Sequence, residues 1–562
     1  MERMDCDVLV AGSGAGGLTA AVTAAHHGLK VVVAEKEPVF GGTTAYSAGV
    51  VWIPLNAPAK DAQLPDSREA ALIYLAGEAG AHFDRAKAEA FVDTGAEMLA
   101  FIEANSHVRY LLMGNWSDYH PDAPGASAGG RSLLPLPYDG RLLGERFREL
   151  RAPLPTMMLF GGMSVSRDDL PHLFNVTHSA ASAWHVTKMI LRYARDRLRW
   201  QRGTRITNGN ALVARLARTL FDREVPILVS TPVVRLLEEN GRVTGAVLKR
   251  DGQEIEVRAK KGVVLACGGF PRSEALRERH YAHVAAGKKH IPLAPPGNTG
   301  DGAQLAGSVG GVFQAEADQP AAWTPISLVP QGDGTVQPYP HFIDRCKPGY
   351  IAVDRRGKRF ANEADSYHDF VPKMFAACAD DPQVEAFLVT DHRALRRYGM
   401  GVVPPAPMPI GRHLRSGYLV SAHSPEELAQ KLGIDVAGFL SQLKMYNANA
   451  RRGEDPEFGK GSNAYHRFGG DAAHGPNPNL APIETEPFYA VKLVPSDLGT
   501  FLGLATDARA RVLDVNERPI PGLYAAGNDA ASVMGGTYPG AGITIGPAMT
   551  FGYIAGKDLA GV

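Results

Sequence analysis

The fold is decided by the stretch Asp7-Val8-Leu9-Val10-Ala11-Gly12-Ser13-Gly14-Ala15-Gly16-Gly17, in which a hydrophobic strand runs straight into a glycine turn. An alanine-rich helix follows, and then a second strand, Val31-Val32-Val33-Ala34, that ends at Glu35. Gly12 permits a tight turn, Gly14 lets the backbone approach a pyrophosphate, and Gly17 lets the helix pack close to the strand. The carboxylate at Glu35 is placed to bind a pair of ribose hydroxyls. This stretch therefore predicts a dinucleotide-binding βαβ unit.

A second strand-to-glycine turn lies near the other end of the chain, at Gly522-Leu523-Tyr524-Ala525-Ala526-Gly527-Asn528-Asp529. An uncharged, glycine-rich stretch from Met534 to Gly546 follows it. An enzyme that uses only a nicotinamide has no need for this second segment, whereas a flavoprotein closes its cofactor site with one. The small residues from Gly41 to Gly49 also favour FAD, because they can lie against a flat ring and a ribityl chain. A third glycine turn, within Gly262 to Phe270, suggests a further contact.

We therefore predict that the protein binds FAD, mainly through glycines and small residues of these segments. Covalent attachment of the flavin is not expected, because Gly41 to Ser47 contains neither His nor Cys. The predicted cofactor contacts are Gly12, Gly14, Ala15, Gly16, Gly17, Glu35, Lys36, Gly41, Gly42, Thr43, Thr44, Ser47, Ala48, Gly49, Val233, Ala266, Gly268, Gly269, Gly300, Asp301, Gly527, Asn528, Gly542, Thr544 and Ile545.

Composition narrows the functional classes. The chain has 562 residues, and 59 Lys plus Arg balance 59 Asp plus Glu, so the overall charge indicates neither nucleic acid nor an anionic membrane surface as a partner. The four cysteines are scattered without metal-ligand spacing, so we expect no metal site. Reduced cysteines and a first strand that begins close to Met1, with no cleavable signal before it, predict a cytoplasmic protein.

One segment, Ala530 to Gly556, has no charged residue and is long enough to cross a bilayer. Its many glycines, its two prolines and its polar Thr and Tyr positions favour backbone that lines a cofactor, followed by a helix. We therefore predict no transmembrane segment.

The organisation along the chain predicts an α/β protein, with a discontinuous Rossmann-like FAD-binding domain and an inserted α+β substrate (cap) domain. The expected boundaries are 1–274 and 491–562 for the two parts of the FAD-binding domain and 275–490 for the insertion. Within the insertion, Ser424 and Asp435 are predicted to cap two successive helices, the first of which ends at Gly433.

Three tyrosines stand in motif-like loops and are the candidate acid-base groups. Tyr119 follows Ser117-Asp118, Tyr367 follows Asn362-Glu363-Ala364-Asp365-Ser366, and Tyr538 opens Tyr538-Pro539-Gly540-Ala541-Gly542. In the last motif, a side-chain hydroxyl and a backbone N–H flank a proline-glycine turn just before a predicted helix. The two donors can therefore converge on one oxygen, where the helix N-terminus also favours negative charge.

These segments resemble the 3-ketosteroid Δ1-dehydrogenases, within the fumarate reductase and succinate dehydrogenase flavoprotein superfamily. The resemblance covers nearly the whole chain, and the C-terminal block is its most specific part. The matching blocks are Gly12 to Pro54, Asp118-Tyr119 with Gly130-Arg131-Ser132, Asn298-Thr299-Gly300-Asp301-Gly302, Pro348 to Tyr367, Val494 to Thr500, and Gly522 to Gly556.

The resemblance implies a mechanism. The substrate ketone accepts hydrogen bonds from the Tyr538 hydroxyl and the Gly542 N–H, which stabilise an enolate. Tyr367 removes a proton beside the ketone, and the neighbouring carbon gives a hydride to the flavin. Tyr119 assists Tyr367 and relays its proton outward. Relatives often have two adjacent tyrosines where this chain has Tyr119-His120, so His120 is an alternative relay.

The resemblance further implies a steroid substrate and an external electron acceptor such as a quinone. Phe501, Leu502 and Ile543 replace smaller residues of the family's motifs and add apolar bulk near the expected flavin and steroid. The steroid that this chain prefers can therefore differ from that of its relatives.

Three alternatives stay open at this stage. A Δ4-(5α) ketosteroid dehydrogenase shares the oxyanion arrangement but gives up its hydride from another carbon. A fumarate-reductase-like enzyme needs an arginine three positions beyond the Asn-Glu pair, where this chain has Ser366. A non-catalytic flavin-binding or electron-transfer module needs no apolar substrate pocket and no Tyr367.

Overall fold

The computed structural model describes residues 2–174, 176 and 179–562. Its strands are β1 Glu2–Ala11, β2 Val31–Ala34, β3 Val51–Trp52, β4 Tyr110–Leu112, β5 Ser132–Pro135, β6 Tyr138–Asp139, β7 Arg205–Ile206, β8 Ile227–Leu228, β9 Val233–Glu239, β10 Arg242–Arg250, β11 Gln253–Leu265, β12 Phe313–Gln314, β13 Ala321–Pro330, β14 Val336–Pro340, β15 Tyr350–Val353, β16 Ala386–Asp391, β17 Val420–Ala422, β18 Phe488–Thr500, β19 Gly503–Leu504, β20 Arg511–Leu513 and β21 Pro519–Ala525.

The helices connect and cover these strands. They are α1 Ala15–His26, α2 Ala57–Asp61, α3 Arg68–Ala79, α4 Arg85–Asn105, α5 Leu170–Phe174, α6 Ala180–Arg197, α7 Asn208–Asp222, α8 Glu274–His280, α9 Ala282–Ala285, α10 Asp301–Gly307, α11 Tyr367–Ala377, α12 His392–Tyr398, α13 Gly411–Arg415, α14 Pro425–Leu432, α15 Val436–Ala450, α16 Ala464–Gly469 and α17 Ile545–Ala560.

The first sheet has the strand order β20-β21-β11-β1-β2-β8, and β9 and β10 extend it from β11 as an antiparallel pair. The strands β21, β11, β1, β2 and β8 are parallel to one another, as expected for strands joined by helical crossovers. Their buried residues are almost all aliphatic, because both faces of a parallel sheet are covered. The predicted α/β, Rossmann-like fold is therefore confirmed.

The second sheet is antiparallel, with the order β14-β13-β18-β16-β15, and β17 also pairs with β18. The two predicted helices of this region are present as α14 and α15, each with a side-chain cap. Ser424 Oγ accepts the N–H of Glu427 at 3.1 Å, and Asp435 accepts that of Gly438 at 2.5 Å. The expected boundary at residue 491 falls inside β18, and the chain leaves the second sheet only after Thr500. The division into domains stays a prediction.

The C-terminal helix joins the two ends of the chain. A Cβ atom on Gly552 would lie 2.3 Å from the Gly16 carbonyl oxygen, so α17 packs directly on the backbone of α1. Gly556 packs in the same way on Ala20 and Thr23. Within the described residues, no helix is both long enough and apolar enough to span a membrane.

Candidate active site

A cavity of about 2230 Å³ opens at the carboxyl ends of β1, β2, β11 and β21. Ala11, Ala34, Ala266 and Ala526, which end or follow these strands, all line it. Parallel sheets bind their ligands at this edge. The volume is more than twice that of an ordinary ligand pocket of about 300–1,000 Å³, so a dinucleotide and a second molecule can share it.

The glycine turn after β1 shapes one end of this cavity. Gly12 has a φ of +106°, and a Cβ atom there would lie 2.1 Å from the Ala266 carbonyl oxygen. A Cβ atom on Gly17 would lie 2.2 Å from the Gly12 carbonyl oxygen. At Gly14, in contrast, a Cβ atom would meet only Thr44 Oγ1, at 3.6 Å, and would fill space that a phosphate needs. The Ala15 N–H donates to Thr44 Oγ1 at 3.0 Å, and Gly14 gives α1 no side-chain cap, so the N-terminus of α1 favours an anion.

Glu35 lies in the cavity wall as a buried carboxylate. It accepts hydrogen bonds from Ser13 Oγ and from the N–H groups of Ser13, at 3.2 Å, and Glu37, at 2.9 Å. Burial raises the pKa of Glu35 despite these hydrogen bonds. A carboxylate held in this way suits the ribose role predicted for it, so the residues present fit an adenine dinucleotide.

Most of the predicted cofactor contacts lie on the cavity wall. They are Gly12, Gly14, Ala15, Gly16, Glu35, Lys36, Gly42, Thr43, Thr44, Ser47, Ala48, Gly49, Val233, Ala266, Gly268, Asp301, Gly527, Asn528, Gly542, Thr544 and Ile545. The other four, Gly17, Gly41, Gly269 and Gly300, do not line the described cavity, and a Cβ atom on each would meet other protein atoms.

Two of the wall residues, Lys36 and Asp301, bind each other. Lys36 Nζ donates to the Asp301 carboxylate at 2.8 Å and to Thr299 Oγ1 at 2.6 Å. This ion pair joins the end of β2 to the start of α10.

Asp529 is a site residue that the sequence analysis missed. Its buried carboxylate accepts the N–H groups of Cys267 at 2.5 Å and Gly269 at 3.0 Å, and so joins the glycine turns that follow β11 and β21. Burial raises the pKa of Asp529. The available signal was its position directly after Gly527-Asn528.

The three candidate tyrosines converge on one part of the cavity wall. The Tyr119 hydroxyl donates to the Tyr367 hydroxyl at 3.3 Å. The ring centroid of Tyr538 lies 5.2 Å from that of Tyr367 and 5.7 Å from that of Tyr119. All three side chains are buried, although they come from positions up to 419 residues apart.

Backbone contacts fix the loop of Tyr538 against that of Tyr119. The Pro539 carbonyl oxygen accepts the Tyr119 N–H at 2.9 Å and the Tyr74 hydroxyl at 2.6 Å. Gly542 has a φ of +101°, and a Cβ atom there would lie 2.6 Å from the Trp52 nitrogen. The turn therefore requires glycine at 542.

Tyr367 is positioned by the start of α11. It is the first residue of that helix, and Ser366 is the N-cap, whose Oγ accepts the Asp369 N–H at 3.2 Å. Ser366, which takes the place of the arginine that a fumarate reductase needs, thus has a capping contact.

Burial raises the pKa of each of the three phenols, and for Tyr367 the neighbouring Tyr119 and Tyr538 raise it further. Hydrogen bonding to Tyr367 and Thr544 acts in the opposite direction on the Tyr538 pKa. The phenols are therefore protonated at neutral pH, which suits Tyr538 as a donor. Tyr367 can remove a proton only if its own proton has a path outward.

His120 does not contact Tyr367 among the described hydrogen bonds; its ring lies between two carboxylates. Nδ1 is 2.8 Å from Glu78 and Nε2 is 2.9 Å from Asp369. Burial alone would lower the pKa of His120, but the two carboxylates outweigh it and raise the pKa to about 10. Of the two relay candidates, Tyr119 is thus the one that touches Tyr367.

Part of the cavity wall consists of residues that belong to no recognisable sequence motif. Tyr465 lies 4.6 Å from Tyr119 between ring centroids, and Phe342 lies 4.9 Å from Tyr367. An apolar segment from Leu154 to Met163 and another from Met400 to Pro409 also line the cavity. Such residues are scattered along the chain, so only the fold brings them together.

Comparison with known proteins gives one family and close full-length relatives. The FAD binding domain family matches residues 7–545. A 4-oxocyclohex-2-ene-1-carboxylate 5-dehydrogenase from Sinomonas cyclohexanicum is 41% identical over 100% of this chain and 94% of its own length. A 3-oxosteroid 1-dehydrogenase from Mycolicibacterium smegmatis is 36% identical over 100% of this chain and 98% of its own length.

Among solved structures, the 3-ketosteroid Δ1-dehydrogenase from Sterolibacterium denitrificans, in complex with 1,4-androstadiene-3,17-dione, is similar over 99% of both chains, with a TM-score of 0.90 and 37% identity. The family match, the full-length relatives and the glycine turns of the cavity wall all indicate FAD as the cofactor and an oxidation-reduction reaction. The chain belongs to the FAD binding domain family and is an FAD-dependent oxidoreductase of the group that contains the 3-oxosteroid 1-dehydrogenases.

Proposed function

We propose that the protein is a 3-oxosteroid 1-dehydrogenase, which introduces a double bond between carbons 1 and 2 of a 3-ketosteroid. The observation that carries this proposal is the convergence of Tyr119, Tyr367 and Tyr538 beside Gly542, on the wall of the cavity that also holds the dinucleotide-binding residues.

The residues divide the chemistry between them. Bound FAD supplies a hydride acceptor. The Tyr538 hydroxyl and the Gly542 N–H hold the ketone oxygen and stabilise the charge that it gains when the adjacent carbon loses a proton. Tyr367 takes that proton. Its own proton leaves towards Tyr119, whose hydroxyl lies 3.3 Å from that of Tyr367 and must rotate from donor to acceptor to receive it.

The cavity wall suits a large apolar substrate. Aliphatic, aromatic and methionine side chains cover the part beyond the tyrosines: Leu154, Met157, Met158, Leu159, Phe160, Met163, Val186, Ile190, Phe342, Met400, Val402, Val403 and Met408. A steroid skeleton buries its area against such a surface, whereas a small dicarboxylate does not. This surface favours the steroid over the fumarate-type alternative and over a non-catalytic flavin module.

A second candidate function is the same desaturation on a small ring ketone that carries a carboxylate. The 41% identity to the Sinomonas dehydrogenase favours it. Arg412 and Arg415 also line the cavity and could bind a carboxylate. The two functions differ in the substrate that lies against the apolar wall of the cavity.

Anaerobic mixing of the FAD-loaded protein with each substrate separates the two. We expect androst-4-ene-3,17-dione to bleach the visible absorbance of the flavin, and 4-oxocyclohex-2-ene-1-carboxylate to bleach it slowly or not at all. Bleaching by the carboxylate alone would establish the second function. Failure of several ketosteroids and of the carboxylate would reject both.

The remaining parts of the proposal concern the surroundings of the enzyme. We infer a quinone or similar external acceptor for the flavin electrons and a cytoplasmic location. The Δ4-(5α) regiochemistry is the alternative outcome that product analysis distinguishes.

A further inference from the structure

The short helix α13, Gly411–Arg415, carries two arginines on the wall of the substrate cavity. Arg412 and Arg415 are three positions apart and therefore lie on the same side of the helix. Both arginines are exposed, whereas the candidate catalytic tyrosines on the same wall are buried. The arginines thus mark the rim of the cavity, and Tyr367 and Tyr538 mark its depth.

Neither arginine forms an ion pair with an acid of the part of the chain that the structure describes. The arginines of the neighbouring helix α12 are engaged, since Arg397 pairs with Asp471 at 2.6 Å and Arg396 donates to a backbone carbonyl at 2.9 Å. Asp344, an acid of the same cavity wall, already binds His341 Nδ1 at 2.6 Å. The two positive charges at the rim are therefore available to a ligand, and an anion would relieve their mutual repulsion.

Local contacts orient both guanidinium groups. Arg412 Nε donates to His413 Nε2 at 2.9 Å, which leaves the two Nη groups of Arg412 for another acceptor. Burial and the neighbouring Arg412 lower the pKa of His413 to about 4, so the ring accepts this hydrogen bond as a neutral group. A Cβ atom on Gly411 would lie 3.2 Å from Arg415 Nη1, so the glycine leaves room for the second guanidinium. Planar donor groups of this kind bind a carboxylate through two parallel hydrogen bonds.

We propose that the preferred substrate is a 3-ketosteroid whose side chain at carbon 17 ends in a carboxylate, which Arg412 and Arg415 bind at the cavity rim. Carbon 3 and carbon 17 lie at opposite ends of the steroid skeleton. A ketone held by Tyr538 and Gly542 in the depth of the cavity therefore directs the side chain outward. The inference rests on the proposed function, because it names the substrate class of the same site.

The apolar wall favours this substrate over a small ring ketone that carries a carboxylate. Met400, Val402, Val403 and Met408 precede α13 in the chain and line the same cavity. A steroid skeleton buries its apolar surface against them while its ketone and its carboxylate reach groups at the two ends. A single six-membered ring leaves most of this wall uncovered, so its carboxylate gains an ion pair without the accompanying apolar burial.

The test measures binding separately from turnover, by calorimetry on the oxidised, FAD-loaded, full-length protein. The ligands are 3-oxochola-1,4-dien-24-oic acid, which already contains the double bond that the reaction introduces, and the methyl ester of this acid. We expect the acid to bind about tenfold more tightly than the ester, because the ester lacks the charge that the arginines recognise. Added NaCl should weaken binding of the acid and have much less effect on the ester.

Arg412→Gln with Arg415→Gln should remove this difference, so that the acid binds about tenfold more weakly than to the wild type. The ester should bind as it does to the wild type, which shows that the cavity is intact. The matched control, Arg250→Gln with Arg518→Gln, removes two exposed arginines that do not line the described cavity. It should keep the preference for the acid.

Equal binding of acid and ester by the wild type would overturn the proposal, as would a preference for the acid that survives in Arg412→Gln with Arg415→Gln. Loss of affinity in that variant for 4-oxocyclohex-2-ene-1-carboxylate, but not for the steroid acid, would assign the arginines to a small ring substrate instead.

Flavin bleaching by androst-4-ene-3,17-dione, measured on the same proteins, reports separately on the proposed function, because this neutral steroid makes no ion pair. Bleaching without a preference for the acid would refute the carboxylate site alone. A preference for the acid without bleaching by any ketosteroid would refute the proposed desaturation and leave the carboxylate site supported.

Discussion

At the scale of single residues, four buried tyrosines pack against one another in the cavity wall. Tyr119, Tyr367 and Tyr538 are joined by Tyr465, whose ring packs on that of Tyr119. A buried phenol is a poor base, because burial disfavours its charged form. The contact between the Tyr119 and Tyr367 hydroxyls is thus the path for the proposed proton transfer, in which the Tyr119 hydroxyl must rotate from donor to acceptor.

Tyr367→Phe should abolish turnover and leave FAD bound, because it removes only the oxygen that takes the proton. The measurements are steady-state activity and the visible spectrum of the purified variant. Tyr339→Phe is a suitable control, since Tyr339 also lines the cavity but lies outside the tyrosine cluster. Activity within a few-fold of wild type in Tyr367→Phe would place the base elsewhere.

Tyr538→Phe should lower kcat by about a hundredfold, as the loss of one oxyanion donor does, which corresponds to roughly 3 kcal/mol of transition-state stabilisation. The Gly542 N–H would still hold the ketone oxygen. Stopped-flow rates of flavin reduction measure this loss directly. A change of less than threefold would remove Tyr538 from the proposed donor pair.

His120 predicts a pH dependence of stability. Its pKa of about 10 in the folded protein lies above its ordinary value of 6.5, so the contacts to Glu78 and Asp369 stabilise the fold fully below pH 6.5 and lose this effect as the pH rises through 10. The thermal midpoint of His120→Gln should therefore lie furthest below that of wild type near pH 6.5. The gap should shrink towards pH 10; a gap that stays constant would show that the histidine is not charged.

At the scale of the elements, the turn between β1 and α1 packs against the backbone that directly follows β11. The Gly12 Cα faces the Ala266 carbonyl oxygen so closely that no side chain fits between them. Asp529 adds a second connection, from the turn after β21 to Cys267 and Gly269. The cofactor end of the cavity therefore depends on contacts among the three glycine turns that follow β1, β11 and β21.

Gly12→Ala should abolish FAD binding or folding, because its Cβ atom would lie 2.1 Å from that oxygen. Gly28→Ala is the matched control, since Gly28 also has a positive φ, of +82°, but has nothing within 4 Å of a Cβ atom. The control shares the backbone strain and lacks the clash. FAD content per protein after purification is the readout, and equal content in both variants would contradict this account of the turn.

The elements that the sequence predicted best were those with a strong local signal. The strand and glycine pattern at Asp7–Gly17 predicted β1 and α1, and the caps at Ser424 and Asp435 predicted α14 and α15. The pairing of β18 with β13 and β16 had no such signal, because the sequence pattern of an antiparallel strand does not show which strands it pairs with.

At the scale of the whole molecule, the two ends of the chain form one cofactor site. The helix α17 packs on α1 through Gly552, and Gly542 and Thr544, just before α17, line the same cavity as Gly12 and Gly14. The sequence predicted this closure because both segments have the composition of cofactor-binding backbone. It did not predict the apolar substrate wall, whose residues carry no motif and are brought together only by the fold.

Whole-chain charge shows the same limit. Equal numbers of acids and bases indicated no anionic surface as a partner, but the sum does not show that Lys188, Arg195, Arg197 and Arg199 are exposed while Asp196, between them, is buried. A sum over the chain cannot show how charges are distributed on the surface.

The most direct test of the central claim is the product formed from 5α-androstane-3,17-dione, because this steroid can be desaturated on either side of its 3-ketone. With the FAD-loaded protein and an artificial electron acceptor, the arrangement of Tyr367 and Tyr538 proposed here predicts 5α-androst-1-ene-3,17-dione, identified by mass spectrometry and NMR. Androst-4-ene-3,17-dione as the first product, or no product from any ketosteroid, would contradict it.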